Sequence, residues 1–224
     1  MITGTEILKH LSPLSEDTRE ELIHIYKTET NNRIVTQWRK GASHKRALEL
    51  LTDYISEEFG HENWKCNIGN FFETFFPYRI HTDTSLKESS YQTIVVPIDW
   101  THEADADLDD NVLYVFEQRW YKEGTMFMKG SPKTNENSRT NTETREYSEV
   151  YDIREGYCID DDIIQDCDHL PKENFEGLTI AKKLKWEPGK PFTFPRTALH
   201  CSNNWHNLGI ERKLGLSLFT TTKR

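Results

Sequence analysis

The chain has 224 residues, 35% apolar and 12% aromatic, and its 28 basic and 37 acidic residues leave a net charge of −9. That length fits one domain with an attachment. The aromatic share excludes general disorder, and the acidic balance excludes a general nucleic-acid binder, which needs a basic surface.

Mean hydropathy is −0.76, and no stretch approaches the ~20 apolar residues of a membrane helix. The start, MITGTEILKH, has no basic run leading into an apolar one, so no secretory signal is expected. Cys66, Cys158, Cys167 and Cys201 form no CxxC pair. A reduced, cytoplasmic protein fits this pattern better than a disulfide scaffold or a structural zinc site.

Residues 1–60 read as a helical cover. Ser15 precedes Glu16 and Asp17, which favour a helix start, and Leu22, Ile23 and Tyr26 fall on one face. In ASHKRALELLTDYISEEFG, Ala47, Leu50, Leu51, Tyr54, Ile55 and Phe59 recur at helical spacing. Ser43 and Gly60 are the expected caps of that helix. The basic patch of Arg33, Trp38, Arg39, Lys40, His44, Lys45 and Arg46 reads as a solvated face.

Residues 61–224 read as one β core integrated with that cover. WKCNIGNFFETFFPYRIH, YQTIVVPI, NVLYVFEQRW, GTMFMKG, LTIAKKLKWE, PFTFP, TALHCS and KLGLSLFT are short β-prone runs separated by turn residues. Residues 101–111 read as an acidic loop, and the polar stretch 131–149 as a lid or solvent loop. IDDDIIQDCDHLPKENF reads as a short helix and a turn. The spacing predicts a mainly β sandwich or barrel with helices at one end.

PYRIHTDT places His81 and Asp83 two residues apart, on one side of an extended segment. His200 lies far downstream in FPRTALHCSNNW. Two imidazoles and a carboxylate can occupy one face of a six-coordinate metal, with the other positions open. The same residues also suit a polar turn and a packed histidine. In the last strand Leu214, Leu216 and Leu218 share one face, and Lys213, Gly215 and Ser217 the other.

HTD, the distal His200 and the basic start of the last strand together resemble the Fe(II)- and 2-oxoglutarate-dependent oxygenase superfamily, over roughly residues 64–221. The resemblance implies a double-stranded β-helix (jelly-roll) core and Fe(II) held by His81, Asp83 and His200. It implies that a basic residue binds the far carboxylate of 2-oxoglutarate. The family's arginine commonly lies about ten residues after the distal histidine; here Arg212 and Lys213 follow His200 by 12 and 13 positions. Lys213 is preferred because Gly215 and Ser217 continue its face, and Arg212 would point with the leucines. Tyr91, Gln92, Thr93 and Ser217 are further cosubstrate candidates, and Arg79, Arg119 and Arg196 are substrate candidates. Asp83 occupies the position that related halogenases leave small, which favours oxidation without halide.

The implied reaction is hydroxylation of a small molecule or a peptide-like side chain, with release of succinate and CO2. Two rivals stay open: a cupin-like metal enzyme that does not use 2-oxoglutarate, and a noncatalytic β-sandwich binding protein. No membrane partner is expected, and oligomeric state is open. Asp105, Asp107 and Asp109 start like a calcium loop, but Asp110 replaces its glycine and Phe116 its glutamate. There is no GxGxxG, P-loop or GxSxG motif.

Overall fold

The computed structural model describes residues 7–29, 45–59, 64–84, 90–121, 125, 128, 150 and 152–222. The elements in the N-terminal half are β1 (Lys9–His10), α1 (Glu16–Glu29), α2 (Lys45–Phe59), β2 (Trp64–Thr74), β3 (Ser90–His102) and β4 (Val112–Arg119). Then come α3 (Asp161–Asp166), a 3-10 turn at Lys172–Phe175, β5 (Ile180–Lys185), β6 (Phe192–Pro195), β7 (Ala198–Ser202) and β8 (Ile210–Thr222). The large sheet has the order β1-β6-β3-β8-β2 and the small sheet β5-β4-β7. An isolated antiparallel bridge between His81 and His200 adds the segment after β2 to the β7 edge of the small sheet. From β2 to β8 the chain passes repeatedly between the two sheets. This is a double-stranded β-helix, or jelly roll, with N-terminal helices.

Three apolar layers follow from the side-chain periods. On the outer face of the large sheet, Leu22 and Ile25 of α1 and Ala47, Leu51 and Ile55 of α2 meet Ile94, Val96 and Ile98 of β3. Leu214, Leu216 and Leu218 of β8 complete that layer. Helical residues four apart and strand residues two apart each present one face, so the two patterns match. Ser15 caps α1 by accepting a bond from the Thr18 N–H at 3.1 Å. On the outer face of the small sheet, Tyr114, Phe116, Leu199 and Cys201 lie under Ile163, Phe175 and their neighbours. Between the sheets sit Val95, Val115, Leu184, Trp186, Phe192, Phe194 and Ala198.

Several local details differ from the sequence expectation. The two-residue strand β1, within the expected helical cover, pairs Lys9 with Thr193 and His10 with Phe192. The Leu11 N–H extends that docking by donating to Pro191 O at 2.9 Å. The acidic stretch 101–111 is not loop throughout: β3 runs on through His102, paired with Ile210. The rest is tied to the turn before β8 by Glu103 N–H to Gly209 O (2.8 Å) and Asp107 N–H to Leu208 O (2.9 Å). Pro188 and Gly189 form a tight turn, with Gly189 at φ 77° and Lys190 N–H donating to Glu187 O at 3.0 Å.

The expected caps Ser43 and Gly60, the stretch 131–149, most of GTMFMKG and most of the basic patch lie outside the described residues. Among the described residues no helix is long and apolar enough to cross a membrane.

Candidate metal centre and its cavity

His200 lies on the inner face of β7, in phase with Ala198 and Ser202. The bridge to β7 brings His81 beside it through two backbone bonds. His81 N–H donates to His200 O, and His200 N–H to His81 O, each at 3.0 Å. Asp83 follows two residues later on the same side. One ligand atom from each of the three residues can be chosen so that all lie within 4.8 Å of one another. His81 Nε2 is 3.8 Å from Asp83 Oδ1. His200 Nε2 is 3.6 Å from Asp83 Oδ2.

The tautomers are set by the backbone. His81 Nδ1 is 2.9 Å from Arg79 O, and His200 Nδ1 is 3.1 Å from Ala198 O. Each Nδ1–H donates to its carbonyl, so each Nε2 keeps its lone pair for a metal. Burial and the neighbouring His200 push the His81 imidazole down to about 3, so it is neutral at ordinary pH. Two imidazoles that keep Nε2 free and one carboxylate are a donor set that fits a divalent first-row metal, Fe(II) included. Asp83 is oriented further by Thr93, whose hydroxyl donates to Oδ2 at 2.8 Å.

These residues floor a cavity of about 100 Å³ between the sheets. Phe72, Phe76, Tyr78, Trp186, Phe194 and Trp205 supply most of its walls. Phe72 lies over Gly215: a Cβ there would collide with the ring. Gly215 therefore makes room for that wall. Lys213 and Ser217, both buried, share this face of β8 and line the same cavity.

The surroundings of Lys213 are unusual. Its Nζ lies 5.1 Å from the ring centre of Trp186 and 5.0 Å from that of Trp205. It donates to Asn111 Oδ1, while Asn111 Nδ2 donates to Trp186 O at 2.9 Å. Among the described residues no carboxylate pairs with it. Burial pushes its ammonium well below the ordinary lysine range. A buried cation without a counter-ion is costly, and an anion entering the cavity would relieve that cost.

The remaining candidates are placed elsewhere. Arg212 points away from the cavity, to Glu73 (3.1 Å), Asp99 (2.7 Å) and the Thr101 hydroxyl (3.1 Å). It is no alternative to Lys213 at the cavity, because the alternation of β8 puts neighbours on opposite faces. Arg119 does not reach the cavity either: its Nη1 turns back to Phe116 O and Glu117 O at 2.6 and 2.7 Å. Arg79 and Tyr91 are half-buried and outside the lining. Thr93 is likewise not in the lining; its hydroxyl serves Asp83. Gln92 is 1% exposed, with its side chain against Thr193. Arg196 is buried and outside the lining too, bound to backbone carbonyls.

Asn111, Trp186, Trp205 and Phe72 do not stand out in the sequence. A signal exists for two of them. Asn111 is in phase with the inward Leu113 and Val115, and Trp186 with the inward Leu184.

No protein-family model and no curated protein matches the chain. Among solved structures it is similar to a Pseudomonas putida prolyl-4-hydroxylase, at 10% identity over 98% of this chain and 95% of that one, with a TM-score of 0.46. It is similar to SnoN, a non-heme alpha-ketoglutarate-dependent epimerase from nogalamycin biosynthesis, at 10% identity over 95% and 77%, with a TM-score of 0.49. SnoK, a non-heme alpha-ketoglutarate-dependent carbocyclase of the same biosynthesis, gives 11% identity over 93% and 76%, with a TM-score of 0.49. At these identities and scores, function rests on the residues of the cavity itself.

Proposed function

We propose that the protein is an Fe(II)- and 2-oxoglutarate-dependent oxygenase that hydroxylates a small molecule or a peptide-like side chain. The observation that carries this reading is one cavity holding both a His81–Asp83–His200 cluster and a buried lysine without a carboxylate partner among the described residues. A metal site alone would not require the lysine. A dicarboxylate held by the metal at one end would give Lys213 its counter-ion at the other.

His81 Nε2, His200 Nε2 and the Asp83 carboxylate would hold the metal. Lys213, its head fixed by Asn111 and the two tryptophans, would pair with the distal carboxylate of 2-oxoglutarate. The aromatic walls lower the local dielectric around Lys213, which would strengthen that pairing. When bound, the iron and 2-oxoglutarate supply the oxygen chemistry, in which 2-oxoglutarate is converted to succinate and CO2 as the substrate is hydroxylated.

Anaerobic addition of Fe(II) and 2-oxoglutarate should produce a visible metal-to-ligand charge-transfer band. His81→Ala should abolish it, with metal affinity falling beyond the roughly 10- to 100-fold that losing an outer hydrogen-bond partner costs. Absence of the band in metal-loaded wild type would overturn the reading. Succinate measured by mass spectrometry separates this enzyme from a metal enzyme that ignores 2-oxoglutarate.

A further inference from the structure

Arg196 occupies the corner where the chain leaves β6 in the large sheet and enters β7 in the small one. It is 6% exposed. Its Nε donates to Asp83 O at 2.8 Å and its Nη1 to Thr220 O at 3.0 Å. Its guanidinium lies 5.1 Å over the Phe219 ring. Its backbone is engaged as well: Arg196 O accepts from the Asp83 N–H at 3.0 Å, and its own N–H donates to Tyr91 O at 3.1 Å.

One residue therefore holds both backbone polar atoms of Asp83. The third restraint is the Thr93 hydroxyl on Oδ2. With N–H, C=O and one carboxylate oxygen fixed, the direction of the Asp83 side chain is set, and Oδ1 stays turned toward His81 Nε2. Arg196 is also four residues before His200, so the same corner references Asp83 to the strand that carries the other imidazole. A buried guanidinium is costly to desolvate, and only well-placed acceptors offset that cost. Its planar fork can serve two carbonyls in different directions, which a lysine cannot.

We infer that Arg196 is a positioning residue for the metal centre: through the Asp83 backbone it sets where the carboxylate meets the two imidazoles. This inference rests on the proposed metal site and makes Arg196 neither a ligand nor a substrate contact. Outer hydrogen-bond partners of metal ligands typically govern about 10- to 100-fold of metal affinity.

The test is anaerobic titration of the metal-free full chain with Co(II), read by its absorbance, alongside thermal melting without metal. Arg196→Gln should weaken Co(II) binding by about 10- to 100-fold. Arg196→Lys keeps the charge but reaches one carbonyl, and should weaken it by roughly 3- to 10-fold. A purely structural role would lower the melting temperature of the metal-free protein and leave Co(II) affinity within about twofold; that result overturns the inference. If Arg196→Gln does not fold, the lysine variant decides by the same twofold criterion. Wild type that takes up no Co(II) overturns the metal site and this inference together. Wild type that binds while the folded variants match it overturns the positioning role alone.

Discussion

The two faces of β8 belong to one strand yet do opposite things. Leu214, Leu216 and Leu218 pack in an apolar layer with side chains from the two helices, from β3 and from Phe71 of β2. Lys213 and Ser217, one residue out of phase, line the cavity, and Gly215 between them lies against the Phe72 wall. The first face holds the fold together by removing apolar area from water, with each fully buried leucine contributing about 1.5–3 kcal/mol. The second lowers stability: it keeps a cation without a counter-ion and replaces a side chain by glycine. Stability and function are thus separated by a single step along the chain, and substitutions can address them independently.

The largest expected effect on stability lies on the leucine face. Leu216→Ala should cost about 2–5 kcal/mol in urea unfolding, with metal affinity unchanged within about twofold where the variant is folded. Loss of metal binding in step with stability would break the separation.

Lys213→Met should do the reverse. Affinity for 2-oxoglutarate should fall by roughly 30- to 1,000-fold, or about 2–4 kcal/mol, measured by loss of the charge-transfer band. Stability of the ligand-free protein should stay equal or rise, because an unpaired buried cation is removed. A pH dependence follows. Burial lowers the folded-state pKa of Lys213 below its ordinary 10.5. Between the lowered value and 10.5 the unfolded chain binds a proton the folded one lacks, so stability rises with pH across that window. It falls again as pH drops toward the lowered value. Urea melts at two pH values should show this slope in wild type and a smaller one in Lys213→Met.

Gly215→Ala should cost about 1–3 kcal/mol, because the new methyl forces the Phe72 ring to move. Phe72 lines the cavity, so the displaced ring intrudes on it and 2-oxoglutarate affinity should drop as well. The smallest effect on 2-oxoglutarate binding is expected at Arg212→Met, next to Lys213 on the other face. Losing its half-buried pairs with Glu73 and Asp99 should cost about 1.5–3 kcal/mol of stability, and 2-oxoglutarate affinity should not change.

The alternation of β8 is legible in the sequence because period two needs only local spacing. That spacing alone separates Lys213 from Arg212. The HTD segment and His200 can be paired only through the family resemblance, since their contact spans the chain. Trp205 and Phe72 are not legible as walls: one sits in a turn and the other on a strand beyond the two-residue reach of the motif. Arg119 and Arg196 read as substrate contacts for one shared reason. A guanidinium near a site suggests an anionic ligand, but in this fold backbone carbonyls accept from both. Where carbonyls converge on a side chain is set by tertiary approach, which residue types do not encode.

The paired backbone bonds between His81 and His200 carry one further consequence. Two of the three proposed metal donors are spliced to each other by the main chain, which would limit how far their imidazoles can separate. Such preorganisation means that loading requires no refolding of the pocket and adds little ordering entropy. It also means that the site holds out the same donors to every divalent ion that arrives. Affinity then follows the general order in which Cu(II) and Zn(II) outrank Fe(II). Raw affinity would then favour zinc over iron, and Zn(II) should compete with Fe(II) for the proposed site.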